Sequence, residues 1–192
     1  LALGFLFVFP LWRITLTAPQ YPEGVVMHIW LNRLSGQIDL INGLNHYIGM
    51  RPIRQEDFPE FRLMPWLIGG LMLLGILAVV LNRRWLFGTW LGLFAALILI
   101  GLADFYRWGY IYGHNLDPNA PIKVPGMSYQ PPLIGSKQLL NFTAYSYPDT
   151  GGLIAFGSFV LLAGVLAIEC LQVRQRKESC LDVSHKQAIP VA

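Results

Sequence analysis

Three long runs of hydrophobic residues dominate the pattern of apolar and polar positions along the chain. They cover residues 63–81, 85–106 and 151–173, and each holds at most one charged residue, which lies near an end of the run. A helix that crosses the hydrocarbon core of a bilayer needs about 20 apolar residues. These runs are apolar on all sides, whereas a surface helix of a soluble protein has one polar face. The pattern therefore predicts three membrane-spanning helices.

A shorter apolar run covers residues 1–12, and it is too short to cross a bilayer by itself. Because the chain begins with Leu1 rather than methionine, we expect the numbering to start inside a longer translated chain. The run would then be the outer part of a first span, and a remnant of a cleaved signal peptide is the alternative. The predicted fold class is an all-α membrane protein with about four transmembrane helices and two long ordered extracytoplasmic loops.

Basic residues predict the orientation of these spans, because Lys and Arg are enriched in cytoplasmic loops. They occur in the turn at residues 82–84 and in the tail at residues 174–192. Residues 13–62 and 107–150, the two outer segments, then lie in the periplasm of a bacterium, with the spans in its inner membrane and both termini in the cytoplasm. The side chains expected to contact cytoplasmic lipid headgroups are Arg83, Arg84, Arg174, Arg176 and Lys177.

Composition and charge agree with a membrane protein. Of the 192 residues, 54% are hydrophobic and only 13% are charged, whereas soluble domains have roughly 25% charged residues. The net charge of +3 lies entirely on the predicted cytoplasmic side, so it indicates orientation and lipid contact rather than a nucleic-acid partner. Indole rings are apolar with one polar N–H, which suits the membrane interface. The predicted interfacial anchors are Trp12, Trp30, Trp66, Trp85 and Trp108.

Small residues predict where the spans pack, because they let helix backbones approach closely in lipid. Gly88 and Gly92 form a GxxxG pair, and Gly157 and Gly164 lie on one face of the last span. Contacts within the helix bundle are one interpretation, and contacts with another subunit are the other. The three long runs contain no His, no Lys and no paired carboxylates, which argues against a channel or a proton pump.

The two outer segments are predicted to be ordered but largely irregular. In the first, residues 25–34 are predicted as a short amphipathic helix at the membrane surface, and Asn42-Gly43 and Gly49 indicate turns. In the second, five prolines lie between Pro118 and Pro132, which excludes a long helix or a central strand there. A long loop without regular structure is usually functional.

Soft metal ligands are concentrated in the outer segments. Both cysteines lie at or beyond the inner end of the last span, so no thiolate is available outside. Imidazole and thioether groups together suit Cu(I), and His46 and Met50 would face the same way on a helical turn. The predicted copper ligands are His46, Met50, His114 and Met127. Histidines that only form hydrogen bonds and methionines that only fill space are the alternative.

The outer segments also carry a resemblance to a known family. The motifs APQYPEG, INGLNHYIGM and GHNLDPNAPIKVPGMSYQPPLIGSKQLLNF resemble small polytopic membrane proteins encoded in nitrous-oxide reductase gene clusters of the clade II type. All four candidate ligands lie inside these motifs, whereas His28 lies just outside them. The resemblance implies assembly, copper supply or electron delivery for a periplasmic copper enzyme.

Taken together, these features predict a non-enzymatic accessory membrane protein whose outer segments dock a partner. Copper is the candidate cofactor, and membrane lipids and other integral membrane or periplasmic subunits are the expected partners. The alternative is a structural subunit of a large respiratory or photosynthetic complex. A third class, an enzyme or a quinone-binding subunit, would use an aromatic patch beside His114, formed by Tyr106, Trp108, Tyr110 and Tyr112.

Overall fold

The computed structural model describes residues 2–124 and 126–187, with side chains through residue 175. A five-stranded sheet lies at one end of three long helices. In chain order the elements are a 3-10 helix (Ala2–Phe7), β1 (Trp12–Ala18), β2 (Tyr21–Ile29), β3 (Leu34–Gly36), α1 (Ile38–Ile48), a 3-10 turn (Gln55–Asp57), α2 (Glu60–Leu81), α3 (Arg84–His114), β4 (Gly135–Leu139), β5 (Phe142–Pro148) and α4 (Thr150–Gln187).

The all-α fold class with four spans is wrong. The chain is a mixed α/β protein with a five-stranded antiparallel sheet, and three of its helices are long and apolar enough to cross a membrane. The run at residues 1–12 was predicted to be the outer part of a first span. Its described residues instead form the 3-10 helix Ala2–Phe7 and then enter β1 at Trp12. Residues 25–34 are not an amphipathic helix, because they contain the end of β2 and the first residue of β3.

Buried and less buried side chains alternate along β1 and β2. In the sequence this alternation is hard to see because β1 directly follows an apolar run. In β1 the side chains of Ile14 and Leu16 are buried, while Arg13 between the strand start and Ile14 is exposed. In β2 the same alternation buries Val25 and Met27. Such alternation is the signature of a strand with one covered face. The all-α prediction fails here because the apolar residues of β1 and β2 bury one face of a sheet rather than one stripe of a helix.

The sheet joins the strands before α1 to the two strands between α3 and α4. Its order is β3-β2-β1-β5-β4, and all neighbouring strands are antiparallel. The central pair aligns Trp12 with Pro148 and Thr17 with Thr143. The indole N–H of Trp12 also donates to Ser146 Oγ at 2.8 Å. Pairing of β1 with β5 therefore makes one continuous sheet from two segments that are far apart in sequence.

One face of the sheet covers the core of this layer. Side chains from β1, β2 and β5 meet α1, the final turns of α3 and the loop before β4. The buried members are Ile14, Leu16, Val25, Met27, Ile41, Ile48, Ile53, Tyr112, Tyr129, Leu139 and Ala144. Burial of apolar area stabilises the fold by about 25 cal/mol per Å², so this cluster fixes α1 and the end of α3 on the sheet.

The three long helices meet the sheet at one end. α2 begins there, α3 ends there and α4 begins there, so the turn at residues 82–84 lies at the opposite end. Between α2 and α3, the Trp90 indole N–H donates to the Leu71 carbonyl at 2.7 Å. Gly75 makes room for this indole, since a Cβ atom at that position would lie 2.8 Å from Trp90 Nε1. The 3-10 helix inserts Leu3 and Leu6 into the same contact.

Asp149, the residue before α4, ties that helix to the sheet. Its Oδ1 accepts the Thr150 backbone N–H at 2.7 Å, and its Oδ2 accepts a hydrogen bond from His28 Nδ1 on β2 at 2.9 Å. Burial opposes ionisation of this carboxyl, but the hydrogen bonds from Thr150 and His28 and the charge of Arg13 outweigh it. The pKa of Asp149 is therefore lower than its ordinary value. The carboxylate caps the helix and bridges it to β2.

We expect Asp149→Asn to lower the thermal unfolding temperature near neutral pH, because a charged acceptor of this kind contributes about 1–3 kcal/mol. A carboxyl whose pKa falls on folding stabilises the folded state above its unfolded pKa, about 3.9, and loses this contribution as pH falls through the folded pKa. Thermal unfolding in mild detergent across a pH series should therefore show the gap to wild type closing in acid.

The exposed Asp39 in the first turn of α1 provides the control. Asp39→Asn should change the unfolding temperature less than Asp149→Asn does near neutral pH. A gap between Asp149→Asn and wild type that stays constant from neutral to acidic pH would contradict the role of the ionised carboxylate.

Candidate functional site

An open groove of about 700 Å³ lies where the end of α1 meets the end of α3. Two stretches of chain line it: His46, Gly49, Met50, Arg51 and Pro52 from the first, and His114, Asn115, Leu116, Asp117 and Pro118 from the second. Three of the four predicted ligands, His46, Met50 and His114, therefore share one groove. Its volume falls in the range of ligand sites, roughly 300–1,000 Å³.

The first wall of the groove is the C-terminus of α1. The Gly49 N–H donates to the His46 carbonyl at 3.4 Å, and the Met50 N–H donates to the Asn45 carbonyl at 2.9 Å. With Gly49 at a φ of 78°, these two bonds form a Schellman motif. α1 ends at Ile48, so His46 and Met50 do not share a helical turn as their spacing predicted, yet both line the groove.

Asn42 holds the chain beyond Met50 against α1. Its Oδ1 accepts the Ile53 N–H at 2.7 Å, and its Nδ2 donates to the Ile53 carbonyl at 3.0 Å. The predicted turn at Asn42-Gly43 is wrong, because both residues lie inside α1. The amide of Asn42 instead acts as a clamp that sets the path of residues 49–53, and with it the position of Met50.

The second wall is the loop after α3, which is fastened to the end of α1. The Asp117 N–H donates to the Gly49 carbonyl at 2.8 Å, and the Ile122 N–H donates to the Tyr47 carbonyl at 2.9 Å. Asp117 Oδ1 accepts the Asn119 N–H at 2.8 Å, which is an Asx turn. The Asp117-Pro118-Asn119 sequence is typical of a turn. Asp117 also lines the groove, although it is not among the predicted copper ligands.

His114, the last residue of α3, is oriented by the preceding helical turn. Its Nδ1 donates to the Tyr110 carbonyl at 3.0 Å, and its ring stacks on that of Tyr110 with centroids 3.9 Å apart. A carbonyl only accepts, so Nδ1 carries the proton, and the neutral ring then has its lone pair on Nε2. Metal-binding histidines usually have this arrangement, with the second ring nitrogen donating to a carbonyl or carboxylate.

Met127 and His28 lie elsewhere. Met127 is partly buried and packs against the core beneath the sheet, and it is not among the residues that line the groove. His28 bonds to Asp149 at the start of α4. Among the described side chains, residues 2–124 and 126–175, no three of His, Cys, Asp or Glu gather as a metal cluster. The groove thus combines two imidazoles and one thioether, with Arg51 and Asp117 beside them.

The aromatic patch of the quinone-site interpretation is divided between different environments. Trp108 and Tyr112 pack on Phe58 in the core, with centroids 5.4 and 6.3 Å from it. Tyr110 stacks on His114, and Tyr106 is exposed. The four aromatic side chains therefore do not form one wall of a ring-binding site.

The predicted interfacial tryptophans fall into two groups. Trp66 on α2 and Trp85 on α3 are 80% and 67% exposed, as side chains in contact with lipid would be. The others contact protein: Trp12 packs edge-on against Phe105, Trp30 donates to Ser35 Oγ and lies beneath Arg33, and Trp108 lies in the aromatic core.

The predicted packing glycines face open space in the described part of the chain. A Cβ atom built on any of them meets no heavy atom within 4 Å; these residues are Gly88, Gly92, Gly157 and Gly164. Gly75, which the sequence reasoning did not single out, makes the close contact between α2 and α3 instead. The small-residue faces are consequently available to other molecules.

The basic residues expected at cytoplasmic headgroups cluster away from the sheet. Arg83 and Arg84 are exposed at the turn between α2 and α3, and Arg174 is exposed on α4. The side chains of Arg176 and Lys177 lie outside the described residues. Arg83 and Arg84 are therefore at the opposite end of the helices from the groove.

No protein-family model, curated protein or solved structure matches the chain.

We expect Gly49→Ala to lower the thermal unfolding temperature and to loosen the groove. A non-glycine residue in the left-handed region costs about 1–2 kcal/mol, and the added Cβ would lie 2.9 Å from Ala120 Cβ and 3.0 Å from the Asp117 backbone nitrogen. Thermal unfolding and amide exchange at Ile122 measure the two effects.

Gly43 is the matched control, because it lies inside α1 with no atom within 4 Å of an added Cβ. Gly43→Ala should be neutral or raise stability by about 0.5–1 kcal/mol, since alanine is the better helix former. Equal shifts in the two variants would contradict the clamped turn at Gly49.

Proposed function

We propose that this chain is a non-enzymatic accessory protein of a membrane, and that the sheet and its groove dock a partner on the outer side. The groove carries the proposal, because it assembles polar, metal-binding side chains from two distant stretches of chain in an accessible position.

The helices support the membrane assignment and suggest an orientation. Few residues of the spans Glu60–Leu81, Arg84–His114 and Thr150–Gln175 are buried within the protein: 17%, 17% and 6% of their most apolar windows. Contact with lipid would cover the others. Arg83 and Arg84 lie at the end of α2 and α3 opposite the sheet. Because positive loops stay in the cytoplasm, the sheet would face the periplasm of a bacterium and the end of α4 the cytoplasm.

Copper handling is the chemistry that best fits the groove. Two imidazoles and a thioether without thiolate favour Cu(I) over zinc or an iron–sulfur cluster. The motifs that build the groove also resemble proteins encoded with nitrous-oxide reductase. Together these features support copper supply, maturation or electron delivery to a periplasmic copper enzyme such as nitrous-oxide reductase.

A structural subunit of a large respiratory or photosynthetic complex is the second candidate. The specific observation in its favour is that a Cβ atom added at Gly88, Gly92, Gly157 or Gly164 would meet no atom of the described chain within 4 Å. Small-residue faces of this kind permit close helix packing in lipid, so neighbouring subunits would cover α3 and α4.

The test is association of the full chain in a nitrous-oxide-reducing bacterium, with in-cell cross-linking followed by native gels in mild detergent. We expect a complex cross-linked through residues 46–52 and 114–118. Arg51→Glu should weaken it, because Arg51 lines the groove, whereas Arg54→Glu should not, because Arg54 is exposed outside the groove.

A chain that migrates alone would contradict both candidates. A complex that survives Arg51→Glu and cross-links only through α3 and α4 would favour the structural subunit over docking at the groove.

A further inference from the structure

We infer that the groove is an open, exchangeable Cu(I) site with three ligands from this chain: a ring nitrogen of His46, Met50 Sδ and His114 Nε2. The inference rests on the proposed function and specifies its ligands, oxidation state and mode of action. It differs from the four-ligand prediction because Met127 does not line the groove. Met50 and Met127 both pack partly against the core, but only Met50 also lines the groove.

The orientation of His114 is the first support. Its Nδ1 proton is held by the Tyr110 carbonyl at 3.0 Å, and stacking on the Tyr110 ring at 3.9 Å restrains the imidazole plane. Because Nδ1 donates to a carbonyl, Nε2 is the lone-pair nitrogen of the neutral ring. A ligand whose orientation is fixed in advance loses less entropy when the metal binds.

The position of the other two ligands is the second support. The Schellman turn fixes the backbone between His46 and Met50, and Asn42 clamps the chain that follows. The hydrogen bond from Asp117 to Gly49 then sets this stretch against the residues after His114. Three backbone–backbone hydrogen bonds and the two bonds of the Asn42 amide therefore set the chain that carries two imidazoles and a thioether around one groove. None of the three ligands is buried.

The openness of the groove determines how the site would act. His46 and His114 are exposed, and Met50 is half-buried. Cu(I) also forms four-coordinate complexes, so a site with three ligands from this chain can accept one more donor. A ligand from a docked partner can supply that donor, and copper can then pass by ligand exchange. Neutral imidazole and thioether bind Cu(I) without releasing a proton, and the metal arrives and leaves as Cu(I), so no electron acceptor is needed.

The two charged lining residues of the groove have opposite charges. Asp117 belongs to the second wall and Arg51 to the first, so the lining adds no net charge to that of a bound ion. Selection of Cu(I) over Zn²⁺ therefore follows from the soft thioether in the donor set.

The experiment is an anaerobic titration of the purified full chain in mild detergent with Cu(I), using a chromophoric Cu(I) chelator as competitor. We expect one tightly bound Cu(I) per chain, weaker Zn²⁺ binding, and complete removal of copper by excess chelator. X-ray absorption should show nitrogen and sulfur donors together. His46→Ala, Met50→Leu and His114→Ala should each weaken binding about tenfold or more.

Met127→Leu is the matched control for Met50→Leu, and His28→Ala is the control for the histidine variants; both should bind copper as wild type does. If His114→Ala unfolds through loss of the Tyr110 stack, His114→Phe keeps an aromatic ring and removes the ligand. Thermal unfolding of every variant separates loss of copper from loss of fold.

Sub-stoichiometric copper in wild type would overturn the site, as would equal losses in Met50→Leu and Met127→Leu. Copper retained against excess chelator would overturn its exchangeable character. The result is independent of partner association: a cross-linked complex sensitive to Arg51→Glu with no copper binding would leave the docking proposal standing and refute only this site.

Discussion

Backbone hydrogen bonding between β1 and β5 is the interaction on which the rest of the structure depends. The pairing runs from Trp12 opposite Pro148 to Thr17 opposite Thr143, and it joins the hairpin before α1 to the hairpin before α4. A buried polar chain reinforces it: Trp12 donates to Ser146 Oγ, which donates in turn to the Leu133 carbonyl at 3.0 Å. Each such bond contributes about 0.5–1.5 kcal/mol net, but together they hold the sheet and the loop before β4 in one layer.

The groove depends on this layer through α1. Ile41 and Ile48 bury one side of α1 against the sheet core, so the helix presents its C-terminal turn toward the end of α3. The loop after His114 then needs only two backbone hydrogen bonds, at Gly49 and Tyr47, to close the second wall. A groove built by few bonds on a rigid layer combines fixed ligand positions with access for a partner.

An element could be predicted from the sequence when the pattern that specifies it lies within the element itself. The three long helices were predictable because each run is uniformly apolar over the length that a bilayer requires. The sheet was not, because β1 directly follows an apolar stretch and its partner β5 lies far along the chain. α1 was missed because Gly43 suggested a turn, yet burial of Ile41 and Ile48 outweighs a cost of about 1 kcal/mol for a helical glycine.

The candidate site was predictable in its chemistry and not in its geometry. Counting imidazoles and thioethers found three of the lining residues, and only the fold could exclude Met127 from the groove. Asp117 and Arg51, which set the charge there, carry no ligand signal that single-sequence reasoning would rank. Hydrogen bonds between segments that are distant in sequence decide which side chains line the groove. The local sequence pattern does not specify those bonds.

Amide hydrogen–deuterium exchange of the full chain in lipid nanodiscs tests the central claim most directly. The account predicts that the backbone of Trp12–Ala18 and Phe142–Pro148 exchanges slowly, as paired strands at the centre of a sheet do. It also predicts faster exchange for the irregular loop between α3 and β4. If Trp12–Ala18 exchanged as fast as that loop, the result would contradict the sheet as described. It would also contradict the groove, because α1, which forms its first wall, packs on that sheet.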